Sequence, residues 1–110
     1  MGETMQTDTP FGARVQHEPG RVLCVLSGRL TCNSYGTFRP LLEAADTQGA
    51  SEMVLDLGEL RFLDSNGLSM LLVLRERVSA AGRRMRLVNV PPRVDKVLAR
   101  TGTQAMLGAA

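Results

Sequence analysis

Tryptophan is absent from this chain, and tyrosine and histidine each occur once. So few flat rings leave little surface on which nucleobases could stack. Any His-containing catalytic triad would have to use His17, which stands beside a turn signal. Cys24 and Cys32 are the only cysteines, and without nearby histidines they do not make a zinc site. No metal and no cofactor are therefore expected. Charge of one sign is also lacking. Thirteen Lys and Arg against eleven Asp and Glu leave a formal net charge of +2, too small to argue for direct nucleic-acid binding. No apolar run approaches the roughly 18–20 residues that cross a bilayer, so no membrane partner is expected. Residues 1–10 are polar, with two acids, and lack the basic start and apolar stretch of a secretory signal. Cytoplasmic residence is the default expectation.

What is present is enough for one domain. The 110 residues can enclose a single hydrophobic core, and 44% apolar with 22% charged residues describes a soluble globular chain. Residues 1–10 read as a flexible arm and 11–110 as the domain. From Phe11 to His17 the residues alternate, with Phe11, Ala13 and Val15 on one side, as in a strand with one wet face. Glu18-Pro19-Gly20 is a turn, and Val22 to Leu26 is continuously apolar, as in a strand buried on both faces. Cys24 lies in that run and reads as a core thiol. The two strands predict a hairpin, and Gly28 reads as the end of the second.

Phe38, Leu41, Leu42 and Ala45 recur at helical spacing, which predicts a helix over 37–47 with a looser approach before it. Pro40 is tolerated only near a first turn, and Gln48-Gly49 reads as the stop. Met53 to Leu57 predicts a short strand and 58–64 a loop. Leu68, Leu71, Leu72, Arg75 and Val78 mark one face of a second helix that stops at Gly82. Residues 84–90 predict a fourth strand. Pro91-Pro92 opens a third helix over 93–100, with Val94, Val97 and Leu98 apolar, and 101–110 are weakly patterned. Arg83, Arg84 and Arg86 read first as a solvated start of a strand, with a phosphate or acidic partner as the sharper alternative.

The order is β-β-α-β-α-β-α. Right-handed crossovers between strands laid down in sequence would put both crossover helices on one face. The expected fold is a two-layer α/β domain. Its sheet is mixed and four- to five-stranded, with helices mainly on one side and the other face open or covered only by loops.

One segment carries a functional signal. Ser65 stands where a helix N-cap is expected, in Asp64-Ser65-Asn66-Gly67-Leu68. Gly67 suits a place where backbone packs closely. The unsatisfied first-turn N–H groups and the helix dipole tolerate negative charge, so the position also suits phosphorylation. Taken alone, these residues read first as a simple helix cap, with the switch as the sharper alternative.

At this segment the chain resembles the STAS family, the anti-sigma-factor antagonists and their relatives. The resemblance rests on Val54-Leu55-Asp56-Leu57 followed by Phe62-Leu63-Asp64-Ser65-Asn66-Gly67-Leu68 and Leu71-Leu72. It extends to Leu26-Ser27-Gly28-Arg29-Leu30 and to Leu87-Val88-Asn89-Val90-Pro91 with Val97-Leu98, covering about residues 11–102. It implies that the chain is a binding module and kinase substrate, not an enzyme. Unphosphorylated, it would bind an anti-sigma factor, itself a serine kinase, and so release a sigma factor. Phosphorylation at Ser65 would abolish binding, and a phosphatase would reset the switch. The implied docking surface is Asp64, Ser65, Asn66, Gly67, Leu68 and Ser69 with the neighbouring 28–34 loop, including Thr31 and Asn33.

The chain departs from the family pattern in three places. Thr31 stands where the family often has Asp, which weakens acidic or nucleotide contacts through that loop. Asn66 replaces a second small residue, and the chain ends soon after the third helix. The rival reading is a constitutive STAS scaffold in a signalling or transport-associated assembly. No Gly-rich phosphate loop supports a nucleotide binder. No motif makes Asp56 and Asp64 an acid–base pair.

Overall fold

The computed structural model describes residues 9–46 and 51–107. The strands are β1 (Gly12–Glu18), β2 (Arg21–Leu30), β3 (Glu52–Leu63) and β4 (Arg84–Val88). The helices are α1 (Tyr35–Ala44), α2 (Ser65–Ala80) and α3 (Pro92–Thr101), with a 3-10 turn at Cys32–Ser34 before α1. The four strands form one mixed sheet in the order β1-β2-β3-β4. β1 and β2 pair antiparallel through a tight turn, while β2, β3 and β4 run parallel. The element order is the one that the periodicity predicts.

Parallel neighbours require crossovers, and α1 and α2 supply them. The core shows where the helices lie. Val22, Cys24 and Leu26 of β2 and Met53, Leu55 and Leu57 of β3 join one buried cluster. The same cluster takes Phe38 and Leu41 of α1, Leu71 and Leu74 of α2, and Val94 and Leu98 of α3. All three helices therefore cover one face of the sheet. The opposite face carries Leu23 and Val25, both half-buried.

This arrangement corrects the reading of β2 as a strand buried on both faces. Its burial alternates strictly along all ten residues. The apolar run Val22 to Leu26 arises because the open face also carries aliphatic side chains, not because a second layer covers it. Gly28 does not end the strand either. It sits inside β2 at φ +79°, where the pairing with β3 shifts register. A Cβ there would lie 2.0 Å from the Pro10 carbonyl oxygen, so only glycine lets the chain of Thr9 and Pro10 pass. The Arg29 N–H donates to the Thr9 carbonyl at 3.2 Å, and Pro10 forms a parallel bridge with Arg29. Thr9 and Pro10 are thus tied to the sheet; residues 1–8 of the expected arm lie outside the described residues.

β3 is the other large difference. Residues 58–63 continue the strand instead of forming a loop. The Gly58 N–H donates to Asp56 Oδ1 at 2.9 Å, which turns the chain locally. Past that point Glu59, Leu60, Phe62 and Leu63 still pair with β2, while β4 has already stopped at Val88 opposite Asp56. Asn89 follows in the left-handed region at φ +56°, which ends β4 two residues early.

α1 begins two residues before the expected start, because the 3-10 turn feeds it directly, and it runs to Ala44 with Pro40 inside. The expected stop at Gln48-Gly49 lies outside the described residues. The apolar face of α2 is Leu68, Leu71, Leu74 and Val78; Leu72 and Arg75 are only half-buried. α3 ends at Gly102 in the left-handed conformation. The weakly patterned residues beyond it return to the core, with Leu107 fully buried and Thr103 nearly so. The Arg83–Arg86 cluster is used within the fold. Arg83 donates to the Ala45 carbonyl at 2.6 Å, and Arg86 pairs with Glu52 at 3.0 Å. Among the described residues no helix is long and apolar enough to cross a membrane.

Candidate functional site

In a parallel sheet the carboxyl ends of neighbouring strands emerge together, and the loops leaving them share one edge. Here Leu30 of β2 pairs with Leu63 of β3. The next residues are Thr31 in one chain segment and Asp64 in the other. Two of the loops that the sequence singles out therefore leave the sheet side by side.

The first loop is locked by its own side chains. Thr31 Oγ1 accepts from the Asn33 N–H at 3.3 Å, and Ser34 Oγ accepts from the Thr31 N–H at 3.0 Å. Ser34 Oγ in turn donates to the Arg29 carbonyl at 3.0 Å. This reciprocal cap satisfies backbone donors at the start of the 3-10 turn. Thr31 thus has a structural use at the position where the family often has Asp. Ser34 is buried, and the Thr-x-x-Ser spacing is the sequence signal of this cap. Asn33 and Cys32 are exposed.

The second loop differs from expectation in one respect. Asp64, not Ser65, is the N-cap of α2: its backbone is extended, and Oδ1 accepts from the Gly67 N–H at 2.8 Å. Both residues have capping side chains, and packing decides between them. A Cβ on Gly67 would lie 2.2 Å from the Leu30 carbonyl oxygen, so the first turn of α2 is pressed against the end of β2. The Asp64 N–H also reaches the Leu30 carbonyl, at 3.4 Å. With these contacts fixing the turn, Ser65 becomes the first helical residue.

The consequence is an exposed and unengaged serine. The Ser65 hydroxyl makes no hydrogen bond among the described residues, and its carbonyl accepts from Ser69 Oγ at 3.0 Å. Asn66 and Ser69 are exposed beside it. Gly67 and Leu68 are buried and serve packing, so they present no side chain for docking. Of the sequence-derived site residues, Asp64, Ser65, Asn66, Ser69, Thr31 and Asn33 remain at the surface or half-buried there.

Shifted titrations lie elsewhere. Burial pushes the Cys24 thiol up to about 12, deep in the core. A hydrogen bond from Arg86 lowers the Glu52 carboxyl, at the opposite end of β3 from Asp64. Among the described residues no group of three His, Cys, Asp or Glu is placed to hold a metal. The geometry here is a helix start with an exposed serine hydroxyl beside a capping carboxylate.

The fold is shared with proteins of known structure. Unphosphorylated SpoIIAA, an anti-sigma factor antagonist, superposes with a TM-score of 0.71 at 22% identity, covering 88% of this chain and 83% of that one. An anti-sigma factor antagonist from Mycobacterium paratuberculosis gives 0.75 at 20% identity over 88% and 82% of the two chains. A sulfate transporter family protein from Wolinella succinogenes gives 0.70 at 20% identity over 84% and 75%. At these identities the likeness is one of fold. No curated protein sequence is significantly similar to the chain. The STAS domain family model matches residues 13–108, and with the strand order, the Asp64-Ser65 helix start and the one-sided helical layer in place, the chain belongs to the STAS domain family.

Proposed function

We propose that this chain is an anti-sigma-factor antagonist switched by phosphorylation at Ser65. Unphosphorylated, it binds an anti-sigma factor that is a serine kinase, and a sigma factor is released. The kinase phosphorylates Ser65 with ATP, binding is lost, and a phosphatase restores the active form. The observation that carries this reading is the exposed Ser65 hydroxyl, free of hydrogen bonds at the first position of a rigidly anchored helix.

The chemistry favours a switch that acts without refolding. A phosphate on Ser65 adds close to two negative charges and three acceptor oxygens. Asp64 Oδ1 already takes the Gly67 N–H, but the Ser65 and Asn66 N–H groups are not bonded within the described residues. These donors and the helix dipole favour an anion. Asp64 repels it. On this reading the helix stays in place while the surface around Ser65 becomes strongly more negative, which a docked partner would register. Support from outside the chain comes from the anti-sigma factor antagonists that share its fold.

The test is phosphorylation with ATP and the cognate anti-sigma kinase, read by mass spectrometry. A single phosphate on Ser65 is the expected product. Modification at another residue with Ser65 untouched overturns the assignment. A second reading, a constitutive STAS module in a transport-associated assembly, draws on the sulfate transporter family protein of like fold. It requires Ser65→Glu to bind the partner as well as the unaltered chain does.

A further inference from the structure

α3 carries one cation, Arg93, that its own stability does not call for, whereas Asp95 in its first turn and Arg100 in its last turn suit the helix dipole. Arg93 occupies the second position of the helix, where the positive end of the dipole disfavours a cation. Pro91, the cap residue, offers no side-chain bond to the first turn. Arg93, Lys96 and Arg100 recur at spacings of three and four, so they share one face over about 10 Å of helix. All three are exposed, and none forms an ion pair among the described residues. Five other arginines, Arg14, Arg21, Arg39, Arg77 and Arg86, each have an acidic partner.

The cations line a groove of about 540 Å³ with Phe62, Leu63, Pro92 and Val97. Arg93 Nη1 donates to the Arg61 carbonyl at 3.2 Å, a bond from α3 to β3. Phe62 and Val97 are half-buried and give the groove an apolar floor.

We infer that this groove docks an acidic polypeptide segment of a partner protein, with carboxylates on Arg93, Lys96 and Arg100 and an apolar side chain over Val97. Three cations spread along two helical turns exceed what a single phosphate group can engage. A single-stranded nucleic acid is less well served, because the guanidinium of Arg29 already covers the Phe62 ring at 4.1 Å from its centroid. Guanidinium–carboxylate pairs and an apolar anchor suit a peptide. The surface shares no residue with the Ser65 region, so it stands independently of the phosphorylation reading.

The experiment uses the full chain and a fluorescein-labelled peptide of roughly twelve residues alternating Glu or Asp with Leu or Phe. Its counterpart has Gln and Asn in place of the acids. Saturable binding of the acidic peptide alone is expected, weakening as salt rises. The variant R93Q/K96Q/R100Q is expected to lose about tenfold or more in affinity, whereas R14Q/R39Q/R77Q, with the same change in net charge, stays within about twofold. Both substitute exposed residues, and circular dichroism melts report whether each is folded. The single variant Val97→Ser, which keeps every charge, is expected to weaken the peptide by severalfold. Absence of saturable binding overturns the inference. So does equal weakening by the two triple variants. Tighter binding of oligo-dT or of phosphatidylserine vesicles than of the peptide, at the same groove, also overturns it.

Discussion

Asp64 caps α2 through Gly67: the carboxylate accepts the Gly67 N–H at 2.8 Å, and Gly67 itself lies against the Leu30 carbonyl. One residue supplies the acceptor and the other supplies the space. Asp64→Ala should cost about 1 kcal/mol by chemical denaturation, the usual worth of an N-cap. Asp64→Asn should recover most of that loss. The asparagine variant also removes the charge beside Ser65, so its phosphorylated form should be more stable relative to its unphosphorylated form than the native chain's.

Gly67→Ala should be far more disruptive than an ordinary glycine replacement in a helix. The gain in helix propensity is about 1 kcal/mol. Against it stands a Cβ at 2.2 Å from a backbone oxygen, which no side-chain rotation can relieve. Displacing the start of α2 from β2 should cost about 3 kcal/mol net. Thermal melting would show it, and a melting temperature equal to that of the native chain would refute the close approach.

Ser65 should be nearly silent for stability. Its side chain is exposed and holds nothing, so Ser65→Ala should change the unfolding free energy by no more than about 0.5 kcal/mol. Ser65→Glu places a carboxylate in the first turn and should be neutral or slightly stabilising. Binding should separate the two variants. On the proposed function, calorimetry with a cognate anti-sigma factor is expected to show near-native affinity for alanine and weakened affinity for glutamate.

The two cysteines should differ sharply in reactivity. Cys32 is exposed, while Cys24 is wholly buried with its thiol pushed up to about 12 by desolvation. An alkylating agent at pH 8 should modify one thiol per folded chain at Cys32, and both after denaturation. The same shift has a sign for stability. The folded pKa lies above the ordinary value of 9.0, so the contribution of the neutral buried thiol is complete below about pH 9 and is lost as pH rises toward 12. Cys24→Ala should flatten the fall in stability across that alkaline window.

Leu107→Ala should cost about 3 kcal/mol, the loss expected for a fully buried leucine. The value checks that the segment after α3 belongs to the core, which no periodicity in residues 101–110 announces. Thr103 helps bring it there: its N–H donates to the Leu98 carbonyl at 3.0 Å and closes the end of α3.

Much of this was legible in the chain. Phe38, Leu41 and Leu42 at helical spacing placed α1, because a helix that buries one face must repeat its apolar residues every three or four positions. The order of elements and the one-sided helical layer followed from alternation and crossover handedness. What stayed hidden depended on contacts distant in sequence. Residues 58–63 look like a loop because Gly58 and Glu59 break the alternation, yet pairing with β2 holds them in the sheet. Leu107 carries no local pattern and is placed only by the cavity it fills.

The start of α2 shows the same division at one site. By itself the sequence determined that a helix begins near Asp64-Ser65, that its first turn tolerates an anion, and that glycine stands where backbone comes close. Those properties are local, set by side-chain chemistry and backbone freedom within a few residues. Only the tertiary structure decided which residue caps and which is free. The Leu30 carbonyl, 37 positions before Gly67, fixes where the first turn can sit, and that placement gives Asp64 the bond and leaves the Ser65 hydroxyl to solvent.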